Sequence, residues 1–312
     1  MTRQNSTTLA RDVAAATRFE IFSMTNHGIF RSIIRDRDVG DAEMTPAFPD
    51  GDWQNPTHYE ALYDLDRAGL AWEFVRRDPG YRSLGSAFAH QSHAAEGSVE
   101  IIPDDPASAR TWGLSYPEDQ NLPAGTARIF WHADVDPHVL LMEAEPAAPD
   151  DPVAVDLAAI GGELFVQPRL RGGERVLLRQ SGVHLRLDLA AGTVLDGPIR
   201  PRVVLPGIWG ISPQLLTLKR LGELARQGRV PRSLRPREKR AWRWARMLQA
   251  LDGVTVGATH RDIANAIFGT AVVRSEWRGA SDHLRLKVQR LVREARRLAG
   301  GGYRAILKSD EG

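Results

Sequence analysis

The segment that most constrains this chain is DHLRLKVQRLVREARRL, running from Asp282 to Leu298. At 100° per residue, Leu284, Val288, Leu291, Ala295 and Leu298 fall in one narrow stripe. Arg285, Lys287, Gln289, Arg290, Arg293, Arg296 and Arg297 occupy the rest, and Leu286 falls on the charged side, off the stripe. Such a helix lays its apolar back on a core and turns its arginines outward. A merely solvated face mixes both signs in supporting pairs. Between Gln289 and Leu298 the only acid is Glu294, against Arg290, Arg293, Arg296 and Arg297. This bias points to a polyanion, and double-stranded DNA is the expected partner.

Just upstream, ATHRDIANAIFG predicts a short helix. The Thr259 hydroxyl can accept from the unpaired amides of the first turn, and Asp262 stands three residues on, in capping-box spacing. Ile263, Ala264, Ile267 and Phe268 recur at helical spacing, and Gly269 ends the helix. Ser281 or Asp282 opens the long helix in the same way. A plain helix-turn-helix uses a turn of about 3–4 residues. The stretch from Gly269 to Ser281 is much longer, so the pair reads as a helix-turn-helix with an extended turn, or a related trihelical variant. Arg285, Lys287, Gln289, Arg290, Arg293 and Arg297 are the expected groove and backbone contacts, with Arg261 and Arg278 positioning phosphates.

Charge along the chain agrees. Thr217 to Lys308 holds 22 Lys and Arg against 7 Asp and Glu, while the remainder holds 19 against 32. The basic end is therefore expected to meet DNA and the acidic body to stay off it. Cysteine is absent, which excludes disulfides, thiolate metal sites and thiol catalysis and fits a reducing cytoplasm. No apolar run approaches the ~20 residues of a membrane span, so neither a membrane contact nor a location outside the cytoplasm is expected.

Four regions follow in order. Residues 1–49 read as a flexible extension with Met24 and Met44 as alternative starts. Residues 50–110 read as a helical interaction module. There Asn55 and Pro56 open a helix carrying Tyr59, Leu62, Tyr63 and Leu65, Gly69 breaks it, and a second helix carries Leu70, Trp72, Phe74 and Val75. Two short helices cannot bury Trp53, Tyr59, Trp72, Phe74 and Tyr81 alone, so these five are expected to pack against the rest of the chain. Residues 83–123 look irregular, with DPAS (105–108) as a short helix start.

Residues 111–210 read as an antiparallel meander of about five strands drawn from RIFWHA, HVLLMEAEP, GELFVQPRL, RVLLRQSG, VHLRLDLAAG and PRVVLPG. Residues 211–312 read as the DNA-binding domain. One helix opens at Ser212-Pro213 and ends at Gly228, and a scaffold helix runs from Arg237 to Leu251, closed by Asp252-Gly253. The glycine run 300–302 stops the long helix, and residues 303–307 form a short strand or tail. The fold class is α+β.

His132, Asp134, Asp136 and His138 would share one face of an extended strand, and such sets bind metals. Pro137 and the two aspartates argue instead for a tight turn that splays them. His90 and His93 are weaker candidates in an Ala/Ser loop, and no metal or cofactor is expected. No phosphate loop, dinucleotide fingerprint, nucleophile elbow or zinc-protease motif is present. The paired carboxylates Asp104/Asp105 and Asp150/Asp151 sit beside prolines in loops, so no catalytic residue and no enzyme is expected.

The segment DWQNPTHYEALYDLDRAGLAWEFVRRDPGYR resembles the N-terminal module of a proteobacterial family of mobile-element transcriptional regulators. LLTLKRLGEL…MLQALDGVTVGATHRDIANAIFG…LRLKVQRLVREARRLAGGGYRAIL resembles its C-terminal domain. The two-domain pattern is similar to the FseA-like excision activators of integrative and conjugative elements. The resemblance implies an extended-turn helix-turn-helix whose basic face binds DNA and whose other side contacts the N-terminal module. It also implies RNA polymerase or an antiactivator protein as partners. Some members are acidic single-domain antiactivators; this chain differs in having the N-terminal module and a basic C-terminal segment. The expected function is a transcriptional regulator activating excision or conjugative transfer. The alternatives are a protein-interaction regulator without direct DNA binding and a plasmid-type replication initiator.

Overall fold

The structure is a computed structural model that describes residues 53–84, 99–104, 109–277 and 282–308. The N-terminal extension with Met24 and Met44, His90, His93, the expected helix start at 105–108, Arg278 and Ser281 lie outside the described residues.

Asn55 accepts from the Thr57 amide at 3.1 Å and opens a 3-10 helix, Pro56–Asp64, that buries Tyr59 and Leu62 and leaves Tyr63 exposed. The break predicted at Gly69 comes earlier. Leu65 is extended, and Asp66 caps helix α1 (Arg67–Val75) by accepting from the Gly69 amide at 2.6 Å. A carboxylate satisfying first-turn donors outweighs the low helix propensity of one glycine. Gly69 instead serves close packing, since a Cβ there would stand 3.3 Å from that of Ala124. A final turn, α2 (Pro79–Arg82), is capped by Asp78.

Among the described residues the sheet has six strands: β1 (Val99–Ile101), β2 (Leu140–Pro146), β3 (Glu163–Pro168), β4 (Glu174–Gln180), β5 (Val183–Leu189) and β6 (Ile199–Val203). Their order is β1-β3-β4-β5-β2-β6. The expected antiparallel meander holds only for β3-β4-β5. β1 runs parallel to β3 and β2 parallel to β5, so the sheet is mixed. Local chemistry specifies the hairpin: Ser181 and Gly182 both have positive φ (49° and 78°), the turn that matches strand twist. Nothing local specifies β2. Its apolar run is drawn between β5 and β6 by burial, with Leu140 opposite Leu187 and Met142 opposite both Leu189 and Val203.

RIFWHA does not become a strand; only Trp131 bridges, to Leu114. Its backbone is satisfied irregularly, the Ile129 carbonyl accepting from Arg186 Nε at 3.0 Å and the Phe130 carbonyl from the Ser115 amide at 2.9 Å. Residues 133–135 form a turn, as Pro137 and the aspartates suggested. There Asp134 pairs with Arg110 at 2.7 Å and Asp136 with His138 at 3.3 Å.

Helix α3 (Ser212–Gln227) ends at Gly228 in the left-handed conformation and packs Leu221 and Leu224 on the sheet core of Leu140, Leu185 and Leu187. The scaffold helix α4 (Ala241–Thr255) starts later than expected and runs straight through Asp252-Gly253. Gly253 is helical, and the Trp53 ring takes the place a side chain would need: a Cβ there would lie 2.8 Å from it.

The expected extended turn is largely helical. α5 (His260–Phe268) carries the complete Thr259–Asp262 capping box, α6 (Thr270–Glu276) follows directly, and α7 (His283–Arg297) is the long basic helix. The unit is thus three successive helices, α5, α6 and α7. Asp262 is held below the usual carboxylate range by the hydrogen bonds of Thr259. A π turn, Leu298–Gly302, with Gly301 at φ 104°, then leads into α8 (Arg304–Lys308), a helix where a strand or tail was expected. The glycines break the run, but Tyr303, Ile306 and Leu307 at helical spacing are buried.

One apolar core joins Leu70, Trp72 and Phe74 of α1 to Trp244 and Leu248 of α4 and to Tyr303 and Leu307 near the end of the chain. A second joins Ile263 and Ala264 of α5, Val273 of α6 and Leu284, Val288 and Val292 of α7.

Candidate nucleic-acid interface

Helix α7 has fifteen residues, about 22 Å at 1.5 Å per residue. Leu284, Val288, Val292 and Ala295 are buried, with Leu291 half-buried beside them. Arg285, Lys287, Gln289, Arg290, Arg293, Arg296 and Arg297 are all exposed. Six basic residues thus face outward against one acid, Glu294. Leu286, 44% exposed, stands among them.

Among the described residues no carboxylate of the acidic body pairs with this face. Arg285 pairs with Asp282 at 2.8 Å and Arg297 with Glu294 at 2.7 Å, both between neighbours on or just before the same helix. Such exposed pairs contribute ~0–1 kcal/mol, so a phosphate can replace either carboxylate at little cost. Among the described residues Arg290 and Arg293 form no ion pair. Arg261 is exposed in the first turn of α5, at the positive helix end, where a cation gains nothing from the helix dipole. Arg278, as noted, is outside the described residues.

Two cations of α4, Arg243 and Arg246, are not among the residues expected from the sequence. Lys287 Nζ lies 4.7 Å from the Phe268 ring centre, and the Arg246 guanidinium from α4 lies 6.0 Å from the same ring. Arg246 also stacks on the exposed Trp242 at 5.2 Å. Cation–π contact fixes both charges in place, so the basic surface extends from α7 onto α4. Arg243, whose charge helps to hold the Glu294 carboxyl below its usual range (after the Arg297 hydrogen bond), lies on the same side. Helical spacing in α4 marks Trp242, Arg243 and Arg246 as outward, but only the fold brings them beside α7.

The five aromatics of the N-terminal segment lie as follows. The Trp53 carbonyl accepts from Gln249 Nε2 at 3.1 Å, and its ring covers Gly253. Tyr59 donates to Asp252 at 2.7 Å. Trp72 donates to the Leu122 carbonyl at 3.0 Å and meets Tyr81 edge-on at 5.4 Å. Phe74 is fully buried, and Tyr81 donates to the Glu118 carbonyl at 2.7 Å.

Beneath Trp53 runs a buried ionic chain: Glu73 accepts from Arg76 at 2.7 Å and Arg77 at 2.6 Å, and Arg77 reaches Asp252 at 2.7 Å. Burial pushes the Glu73 carboxyl up, but the two guanidiniums and the Ala124 amide outweigh it and hold the group at about 2. This chain ties α1 to α4, the helix on which the trihelical unit is built.

An exposed arginine-rich helix seated by its apolar back on a small helical core presents a surface complementary to a polyanion. Residues 212–308 match the model of a family described as the DNA-binding domain of a T6SS transcription factor. Residues 52–117 match that of a proteobacterial transcriptional regulator-like domain. No curated protein matches the chain. Together the two domains indicate a transcriptional regulator with a DNA-binding domain, and DNA as its partner. Among the described residues no helix is long and apolar enough to cross a membrane.

Proposed function

We propose that α7 is the helix that enters the DNA major groove and that the protein activates genes for excision or conjugative transfer of a mobile element. The single observation carrying the first part is the exposure of Lys287, Gln289, Arg290 and Arg293 over the buried row Leu284, Val288, Val292. Arginine and glutamine can pair with guanine and adenine edges, and the exposed Leu286 offers an apolar contact suited to a thymine methyl. Arg261, Arg278, Arg285 and Arg297 hold the backbone, joined by Arg246. The activating role in excision rests on resemblance to the FseA-like regulators, and RNA polymerase or an antiactivator protein follows as partner. A second reading, control of T6SS genes, draws support from the description of the matched DNA-binding domain.

Binding to the DNA upstream of neighbouring genes, titrated with salt, tests the first part. Arg285→Ala with Arg297→Ala should reduce the slope of log affinity against log salt by about 2, because each lost phosphate contact removes about 0.9, whereas Arg290→Ala or Arg293→Ala should cost ~1–3 kcal/mol on the preferred site and relax sequence preference. Salt-insensitive binding, or an unchanged slope, would refute it. Genome-wide mapping of bound sites separates the two regulatory readings: sites before excision or transfer genes support the first, sites before secretion genes the second.

A further inference from the structure

A second cationic site lies away from α7. A cavity of 610 Å³ opens where β5, the start of α1, α3 and the connector 233–240 meet. Its lining holds seven arginine and lysine side chains and two carboxylates, Asp66 and Glu238. Both carboxylates are engaged: Asp66 pairs with Arg186 at 3.0 Å and Glu238 with Arg67 at 2.7 Å. The lining side chains therefore carry more positive than negative charge.

Arg186 is the most telling group. Its side chain is 5% exposed, Nε donates to the Ile129 carbonyl and Nη1 to Asp66, yet Nη2 is buried with no hydrogen-bond partner. A buried guanidinium nitrogen without an acceptor is costly to keep, and protein interiors rarely leave one so. The volume falls within the ~300–1,000 Å³ range of small-molecule pockets.

We propose that this cavity binds a small polyanion through phosphate or carboxylate groups, with Arg186 at its floor and the exposed Arg235 and Arg237 of the connector at its mouth. The connector continues directly into α4 at Ala241, so an occupant would brace the segment leading to the DNA-binding unit. The inference does not depend on α7 binding DNA.

Calorimetric titration of the full chain with inorganic pyrophosphate and with citrate, at constant ionic strength, tests it. Saturable one-to-one binding of either is expected, weakened about tenfold or more by Arg235→Gln/Arg237→Gln, which changes only exposed side chains. Arg186→Gln should weaken it further, but it also breaks a buried pair and is judged only if it stays folded. Arg290→Ala/Arg293→Ala should leave anion binding unchanged. The proposal is overturned if neither anion binds, or if the α7 variant, not the connector variant, abolishes binding. It is equally overturned if duplex DNA displaces the anion competitively and the connector variant loses DNA affinity, for the cavity would then be a backbone contact.

Discussion

Removing the Asp252 carboxylate should test how the N-terminal segment is joined to the DNA-binding unit. Asp252 is 1% exposed and accepts from Tyr59 at 2.7 Å and from Arg77 Nε and Nη2 at 2.7 and 3.1 Å. In Asp252→Ala, Arg77 loses the carboxylate that its Nε and Nη2 hold, and the Tyr59 hydroxyl loses its acceptor. Breaking a buried pair from one side costs ~3–5 kcal/mol, a large part of the ~5–15 kcal/mol that stabilises a typical protein. At roughly 2–4 °C per kcal/mol, the melting temperature should fall by about 6–20 °C. Chemical denaturation should give the same loss. Tyr59→Phe alone should cost ~1.5–3 kcal/mol, the value of a hydrogen bond to a charged group, and much less once Asp252 is gone. A cost below ~1 kcal/mol for Asp252→Ala, or additivity of the two changes within ~0.5 kcal/mol, would refute the buried ionic joint.

Three further outcomes are expected. Stability should fall in two acid windows. Burial, with Arg110 and Arg175 beside one ring and Arg186 and Arg179 beside the other, holds His132 and His184 at about 4, although Asp66 partly opposes this at His184. Unfolded histidines take protons near pH 6.5, so stability falls between about pH 6.5 and 4. Glu73 and Asp66, both near 2 because arginines outweigh their burial, keep their contribution above the unfolded carboxylate range and lose it between about pH 4.5 and 2; flat stability from pH 7 to 4 would contradict the histidine assignment. Gly253→Ala should destabilise by ~1 kcal/mol in denaturant titration, because displacing Trp53 outweighs the ~1 kcal/mol of helix propensity gained; a stabilised variant would show that the ring yields freely. Arg246→Ala should reduce the salt slope of DNA binding by about 1 while Lys219→Ala, exposed on α3, leaves it unchanged; equal effects would mean the basic surface stops at α7.

Local rules made much of this protein readable from its residues. The Thr259–Asp262 capping box, the Gly228 helix end, the β4–β5 hairpin and the apolar back of α7 are set by neighbours within a few positions, where hydrogen bonds and helical or strand period act directly. Val292 joins the buried row from just outside the narrow stripe that helical spacing marks, and α6, with seven residues, leaves little periodic trace. The misreadings at Gly69 and Gly253 share one cause. Each glycine looks like a stop by propensity, yet each lies inside a helix, where a distant side chain, Ala124 or Trp53, fills the space a Cβ would take, so the glycine there serves close packing.

What the order of residues decided by itself was the basic, amphipathic α7, its capped partner α5 and the aromatic character of the N-terminal segment. Only the tertiary structure decided that β2 inserts beside β5, that Arg246 joins Lys287 around Phe268, and that Arg186 faces a cationic cavity. Those outcomes depend on groups far apart in the chain competing for the same buried space and the same charge partners, and no short-range pattern encodes that competition.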